Sequence, residues 1–281
     1  MFQINWKIKS LFYKLFGVFK LKSSFYFIQK YITRRSKVNI FSIDKSWKFH
    51  LDAINENNLK NLLELGAGKS LEQNIFLSYI LDNKLNQTVI DINKMLDLDL
   101  FNEANFQISR LLNKDKIKSA KNLGDLEKNF NIIYKAPINL EDLIKEKNTF
   151  DICINTTALE HFTIDDLNYT FENLNKLIIN RGFVSSAIDY SDHYSHTDKN
   201  ISSLNFLKFS NENWKYYNNK YLYQNRLRHF DYKKIFLDHG FSIKKIIEGP
   251  KEFPKENIST DFNADREETY ITWGYYLIQN K

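Results

Sequence analysis

A single cysteine, Cys153, and only three prolines and eight glycines occur in this chain of 281 residues. One thiol makes neither an internal disulfide nor a cysteine-based zinc site, so a reducing, cytoplasmic setting is expected. Scarce Pro and Gly argue against long disordered linkers. No apolar run approaches the roughly 20 residues of a membrane span or forms the apolar stretch of a secretion signal. Acidic residues are missing from positions 1–37, which carry nine Lys or Arg, whereas residues 38–281 hold 31 basic against 34 acidic side chains. The net charge of +6 is therefore local to the N-terminus.

What is present is enough hydrophobic (43%) and aromatic (15%) side chain for a substantial core, and one elaborated domain over residues 41–281 is expected. Residues 1–40 read as a basic amphipathic helical region. Ile4, Ile8, Leu11, Phe12, Leu15, Phe16 and Phe19 fall at helical spacing with Lys7, Lys9, Lys14, Lys20 and Lys22 among them. Such a helix packs on the domain or lids its cleft, or else residues 1–35 lie on the anionic inner face of a membrane. A basic arm for nucleic acid is a third reading, and no nucleic-acid partner is expected.

The run 62–68 reads Leu-Leu-Glu-Leu-Gly-Ala-Gly, an apolar strand ending in a glycine turn, and Asp91 follows 23 residues later at the end of a second strand, 88–92. A strand, a glycine turn and a helix let the backbone approach a ligand, and an acid at the next strand tip takes both hydroxyls of a ribose. An adenosine ligand is expected. Gly68-Lys69-Ser70 imitates a P-loop, but Leu63 stands where that loop needs its first glycine. Leu71 stands where a dinucleotide fingerprint has its third. Residues 70–73, Ser-Leu-Glu-Gln, have the form of a capping box opening the next helix.

Further strands are expected at 131–135, 150–154 and 183–188, alternating with helices in 98–129, at 140–147 and at 164–180. This pattern predicts a doubly wound α/β fold, a mostly parallel seven-stranded sheet. A helix 232–239, a strand 241–247, a charged loop 248–269 and a strand 270–278 close it. Lacking a crossover helix before it, the last strand should pair antiparallel.

Glu64-Leu65-Gly66-Ala67-Gly68 resembles the first motif of the class I S-adenosylmethionine-dependent methyltransferases. The segment from Asp151 through Asn155 to Leu159-Glu160-His161 resembles their fourth. The resemblance covers about residues 58–190, and the two closing strands extend it. It implies S-adenosylmethionine as cofactor, held by Glu64, Gly66, Ala67, Gly68, Asp91, Ile92, Ala136, Asn155, Thr156 and Glu160. Asn155-Thr156-Thr157-Ala158 departs from the Asn- or Asp-Pro-Pro-Tyr of enzymes that methylate base amines, which speaks against such an acceptor.

An insertion at about 189–230 follows the fifth strand and overhangs the carboxyl ends of the strands, where ligands of open α/β sheets bind. It resembles that of bacterial surface-polysaccharide and sugar-cluster methyltransferases, which implies a sugar, glycan or related small-molecule acceptor. Asp189, His196, Asn205, Trp214, Arg226 and Arg228 are its expected acceptor-binding residues, the arginines for a phosphate or carboxylate. His193 is the expected base, with Asp192 orienting it or acting itself, and His161 the next candidate. No metal is expected, because Asp189, Asp192, His193, His196 and Asp198 match no ligand spacing. A nicotinamide-dependent sugar enzyme using Tyr216 and Lys220, and a non-catalytic adenosine-binding or membrane-associated scaffold, stay open as alternatives.

Overall fold

The computed structural model describes residues 4–18, 38–115, 117–219 and 222–281. Strands β1 (Asn61–Leu65), β2 (Asn86–Ile90), β3 (Ile132–Lys135), β4 (Phe150–Thr156), β5 (Ile178–Asp189), β6 (Ser242–Glu248) and β7 (Trp273–Gln279) form one sheet in the order β3-β2-β1-β4-β5-β7-β6. The first five pair in parallel, and β7 slots between β5 and β6, antiparallel to both. The expected mixed sheet is the observed one.

Apolar runs rather than alternation mark β1 and β4 because both faces of the sheet are covered. Leu62, Val89 and Ile152 face a layer built on α2 (Lys45–Glu56), α3 (Glu72–Ile80), α4 (Leu98–Leu111) and α5 (Leu123–Phe130). Leu63, Ile90 and Cys153 face α6 (Leu140–Lys145), α7 (Ile164–Leu177) and α8 (His229–Asp238). Short polar side chains set the helix starts: Asp44, Asp97, Asn122 and Asn139 accept backbone N–H groups at the N-termini of α2, α4, α5 and α6. Thr163 and Asp166 form a reciprocal capping box on α7.

Two local expectations fail. The capping box at 70–73 does not form: the residue before α3 is Leu71, with φ +49° and no side-chain cap, while Gln73 turns into the interior. The helix expected to reach residue 180 stops at Leu177, and β5 starts at Ile178. The apparent terminator Arg181-Gly182 is instead a kink inside that strand, with Arg181 at φ +66°. A Cβ on Gly182 would lie 2.8 Å from the carbonyl oxygen of Asp151, so the close approach of β4 requires glycine.

The N-terminal helix α1 (Trp6–Val18) packs on the insertion, but not by the expected face. Its buried side chains are Trp6, Lys9, Ser10 and Tyr13. Trp6 joins a small third core with Tyr194, Phe206 and Trp214, and its N–H donates to Asp198 at 2.9 Å. Lys9 donates to the Thr197 hydroxyl at 2.9 Å. Ile4, Ile8, Leu11 and Leu15 of the expected apolar stripe remain exposed, as does nearly half of Phe12. Phe19, Lys20 and Lys22 lie outside the described residues, as does the side chain of Phe16. No helix among the described residues is long and apolar enough to cross a membrane.

Candidate active site

Beyond β1 the chain turns through Gly66 and Gly68 at φ +74° and +75°. A Cβ on Gly66 would come within 3.0 Å of the Ala158 Cβ, whereas one on Gly68 would meet nothing within 4 Å. Gly66 therefore packs the turn against the loop after β4, and Gly68 offers open backbone to a ligand. Leu71 is fully buried in the left-handed conformation, where glycine would be relaxed, at a cost of about 1 kcal/mol.

Glu64 is 2% exposed and accepts from Gln73 Nε2 (3.2 Å) and Asn74 Nδ2. Burial drives its pKa up to about 8 against the opposing effect of these two bonds. It anchors the first turn of α3 and has almost no surface to present to a cofactor. Asn155 is likewise fully buried, donating to Ser186 Oγ at 2.9 Å. Thr156 Oγ1 donates to Gln73 Oε1 at 2.7 Å.

Glu64, Gln73 and Thr156 belong to a chain of hydrogen bonds that runs through a residue sequence reasoning passed over, His50 of α2. Its Nδ1 lies 2.7 Å from Ser185 Oγ and its Nε2 3.0 Å from Thr156 Oγ1. Ser185 Oγ in turn lies 2.7 Å from the Tyr275 hydroxyl. Thr156 spends its proton on Gln73, so it accepts from His50, which assigns the neutral Nε2–H tautomer to the imidazole. Burial lowers the His50 pKa to about 3. The available signal was periodic: Trp47, His50, Ala53 and Ile54 share the buried stripe of α2.

Asp91 follows β2 directly, half-buried, with Oδ1 accepting from the Asn93 N–H at 2.9 Å. Burial raises its pKa, partly countered by backbone N–H groups of Asn93 and Ile92. Ile92 beside it is 76% exposed, an apolar surface next to the carboxylate. Ala136 follows β3, the strand paired with β2, and is partly buried. Gly66, Gly68, Asp91, Ile92 and Ala136 thus follow β1, β2 and β3 at the carboxyl ends of adjacent strands.

On the acceptor side, residues 223–228 form a strap that ties the turn Leu159–His161 to the insertion. The Tyr223 carbonyl meets His161 Nδ1 at 2.8 Å. Gln224 Oε1 accepts from the His193 N–H at 3.1 Å. Asn225 Nδ2 donates to the carbonyls of Leu159 and Phe162, both at 2.9 Å. The strap brings His161 and His193 together, with ring centroids 5.0 Å apart.

Several expected roles change here. The acid beside His193 is Asp189, whose Oδ2 lies 3.4 Å from His193 Nε2 and 3.6 Å from His196 Nε2. Burial opposes ionisation of Asp189, but hydrogen bonds from His193 and Ser191 outweigh it and hold its pKa below the usual value. Asp192 is fully buried and accepts from the Tyr194 N–H and Asn205 Nδ2, so both Asp192 and Asn205 stabilise the insertion instead of orienting His193. Arg228, 1% exposed, donates to the carbonyls of Thr269, Tyr190 and Ile271. Arg226 donates to the carbonyls of Phe206 and Phe209 and to Asn211 Oδ1. Both guanidiniums satisfy loop carbonyls, and burial lowers each pKa to about 10. Trp214 is core. A groove of about 720 Å³ is walled in part by Trp214 and Arg226 but by neither Gly68 nor Glu160. His196 is half-exposed beside Ser191 Oγ at 3.1 Å, and burial lowers the pKa of both His161 and His196. Of the dehydrogenase pair, Tyr216 is 62% exposed and Lys220 lies outside the described residues.

A sheet ordered 3-2-1-4-5-7-6 with an inserted antiparallel strand, and a glycine turn and acid at its carboxyl ends, define the class I methyltransferase fold. No family model and no curated protein matches the sequence. Among solved structures the chain is similar to the 1,6-didemethyltoxoflavin-N1-methyltransferase of Burkholderia thailandensis, with bound 1,6-didemethyltoxoflavin and S-adenosylhomocysteine. The TM-score is 0.52 at 10% identity over 91% of this chain and 85% of that one. It is also similar to TehB from Haemophilus influenzae (TM-score 0.48, 13% identity, 91% of this chain and 66% of that one). A third is the CurJ carbon methyltransferase (0.42, 16%, 79% and 48%), of which this chain spans about half the length. At these identities the likeness is one of fold.

Proposed function

We propose that this chain transfers the methyl group of S-adenosylmethionine to an oxygen of a hydroxylated small molecule, a sugar or glycan intermediate being the class that the insertion's resemblance implies. The observation that carries the reading is the continuity of the two halves: Gly66 touches Ala158, which leads directly into Leu159-Glu160-His161 and the Asp189–His193 pair. The residues fit the cofactor. Gly68 would give its carboxylate end open backbone at the start of α3, Asp91 would accept from the ribose hydroxyls, and Ile92 and Ala136 would border the adenine. The bound cofactor supplies an electrophilic methyl on a sulfonium. Transfer of that methyl to an acceptor oxygen would leave the hydroxyl proton to be removed, and that is the part this chain's own residues would play. His193 would take that proton, a role supported by the Asp189 carboxylate 3.4 Å from its Nε2.

The antiparallel β7 is foreign to dehydrogenase sheets, which weakens the nicotinamide alternative. Calorimetry should show S-adenosylmethionine and S-adenosylhomocysteine binding and no heat from NAD, with S-adenosylhomocysteine released on turnover with pooled nucleotide-sugars or cell-envelope extracts. NAD binding without S-adenosylhomocysteine binding overturns the reading, and cofactor binding without turnover on any acceptor supports the scaffold.

The outward stripe of α1 also supports contact with an anionic membrane surface, a helix whose apolar face is exposed in a strongly basic segment. Sedimentation with phosphatidylserine vesicles should fall several-fold in Ile8→Glu/Leu11→Glu, which leaves Trp6 and its packing in place. Equal sedimentation of variant and parent refutes the contact.

A further inference from the structure

The acceptor side holds a group that methyl transfer does not account for. Glu160 is 1% exposed, and neither carboxylate oxygen has a hydrogen-bond partner. The backbone N–H groups of Glu160 itself and of Asp189 favour its ionisation, but neither is a hydrogen-bond partner of its oxygens. Burial raises its pKa well above the ordinary carboxylate range, so with no cation present it keeps its proton, and both oxygens are left free to take a ligand's place around an ion. No Lys or Arg among the described residues pairs with it.

One carboxylate oxygen of Glu160 and one ring nitrogen each of His161 and His193 lie within 4.8 Å of one another. Ligands around a tetrahedral ion sit about 3.4 Å apart, so a contraction of at most about 1.4 Å brings these three into coordination. The surroundings have the form of an ion's supporting shell. The Tyr223 carbonyl takes the Nδ1–H of His161, leaving Nε2 to offer, and the Asp189 carboxylate stands against His193. Asp189 adds negative charge to the same spot.

We infer that Glu160, His161 and His193 form a binding site for one divalent transition-metal ion of the zinc type, with a coordination position left for the hydroxyl of the acceptor. Two imidazoles and a carboxylate suit zinc or its neighbours better than magnesium, which prefers oxygen ligands. The inference rests on the proposed acceptor site and revises one role within it: His193 becomes a ligand, and the ion lowers the pKa of the bound hydroxyl, which sheds its proton to solvent as attack proceeds. If the ion expands to five ligands as catalytic zinc sometimes does, a second oxygen beside that hydroxyl, as in a vicinal diol, would complete the set.

The test uses the full chain stripped with EDTA and titrated with Zn²⁺ in a calorimeter, with Co²⁺ absorption as a second readout. One equivalent should bind. Glu160→Gln and His193→Ala should each weaken it at least tenfold and abolish the visible Co²⁺ bands, while His239→Ala, altering a histidine elsewhere, should change neither. Circular dichroism confirms that the variants are folded, and His161→Ala replaces any that is not. Absence of stoichiometric Zn²⁺ binding, or binding that survives both ligand substitutions, overturns the inference. S-adenosylhomocysteine calorimetry on the same metal-free sample reports on the proposed function separately: cofactor binding without Zn²⁺ binding leaves a metal-independent methyltransferase.

Discussion

Lowering the pH from 7.5 to 5 should strip about 2 kcal/mol of stability from this protein through His50 alone, and His50→Gln should be free of that loss. The imidazole is buried and neutral, with a pKa near 3 in the fold against an ordinary 6.5 in the unfolded chain. A depressed pKa means that the unfolded state takes up the proton first. The contribution is therefore complete above pH 6.5 and is lost as pH falls toward 3. Glu64 works in the opposite sense: its carboxyl holds its proton in the fold up to about 8, so its ionisation in the unfolded chain costs stability as pH rises from about 4.5 through 8. The two oppose each other in the parent protein, and single substitutions unmask them. Urea melts at pH 5 and 7.5 of the parent, His50→Gln and Glu64→Gln measure each tilt. Parallel pH profiles of parent and His50→Gln would show that the imidazole is protonated without penalty, contrary to its burial.

Asp91→Ala should weaken S-adenosylhomocysteine about 100-fold, since hydrogen bonds to a charged acceptor contribute about 1.5–3 kcal/mol each and a ribose offers two hydroxyls. Asp91→Asn, keeping one acceptor oxygen and losing the charge, should cost about tenfold. Stability should barely move, because the carboxylate bonds only its own turn. Isothermal calorimetry on the folded variants decides it, and Asp91→Ala affinity within twofold of the parent would remove Asp91 from the ribose site.

The parts of this molecule legible in the sequence are those written locally. The glycine turn, the acid after the second strand and the strand–helix alternation are each set by a few adjacent residues, and the mostly parallel sheet with its antiparallel last strand followed from them, whereas the place of that strand between β5 and β6 did not. Tertiary roles were not written that way. Arg226 and Arg228 look like ligand cations in a list of residues, yet an insertion made of turns leaves carbonyls without ladder partners, and guanidinium groups are what satisfy them. Asp192 and Asp189 are equally good neighbours for His193 in sequence. The difference lies in backbone direction, which turns Asp192 onto Tyr194 and Asn205. The amphipathic stripe of α1 is legible as a pattern, but which face meets the protein is not: the helix packs through Trp6, Lys9, Ser10 and Tyr13 and leaves the stripe outward. His50 lies among mixed polar and charged residues, and its partners are more than a hundred residues away.

The position of β7 has a consequence for how the molecule is made. Its strand lies between β5 and β6, yet it leaves the ribosome after both, and the Tyr275 hydroxyl closes on the Phe49 carbonyl across 226 residues of chain. Until β7 arrives, β5 and β6 each expose an unpaired edge, and Ser185 waits without its tyrosine. Synthesis therefore passes through a stage in which the cofactor half of the sheet can assemble while its far side stays open to other chains. Closing that interval is a race between elongation and edge-to-edge aggregation.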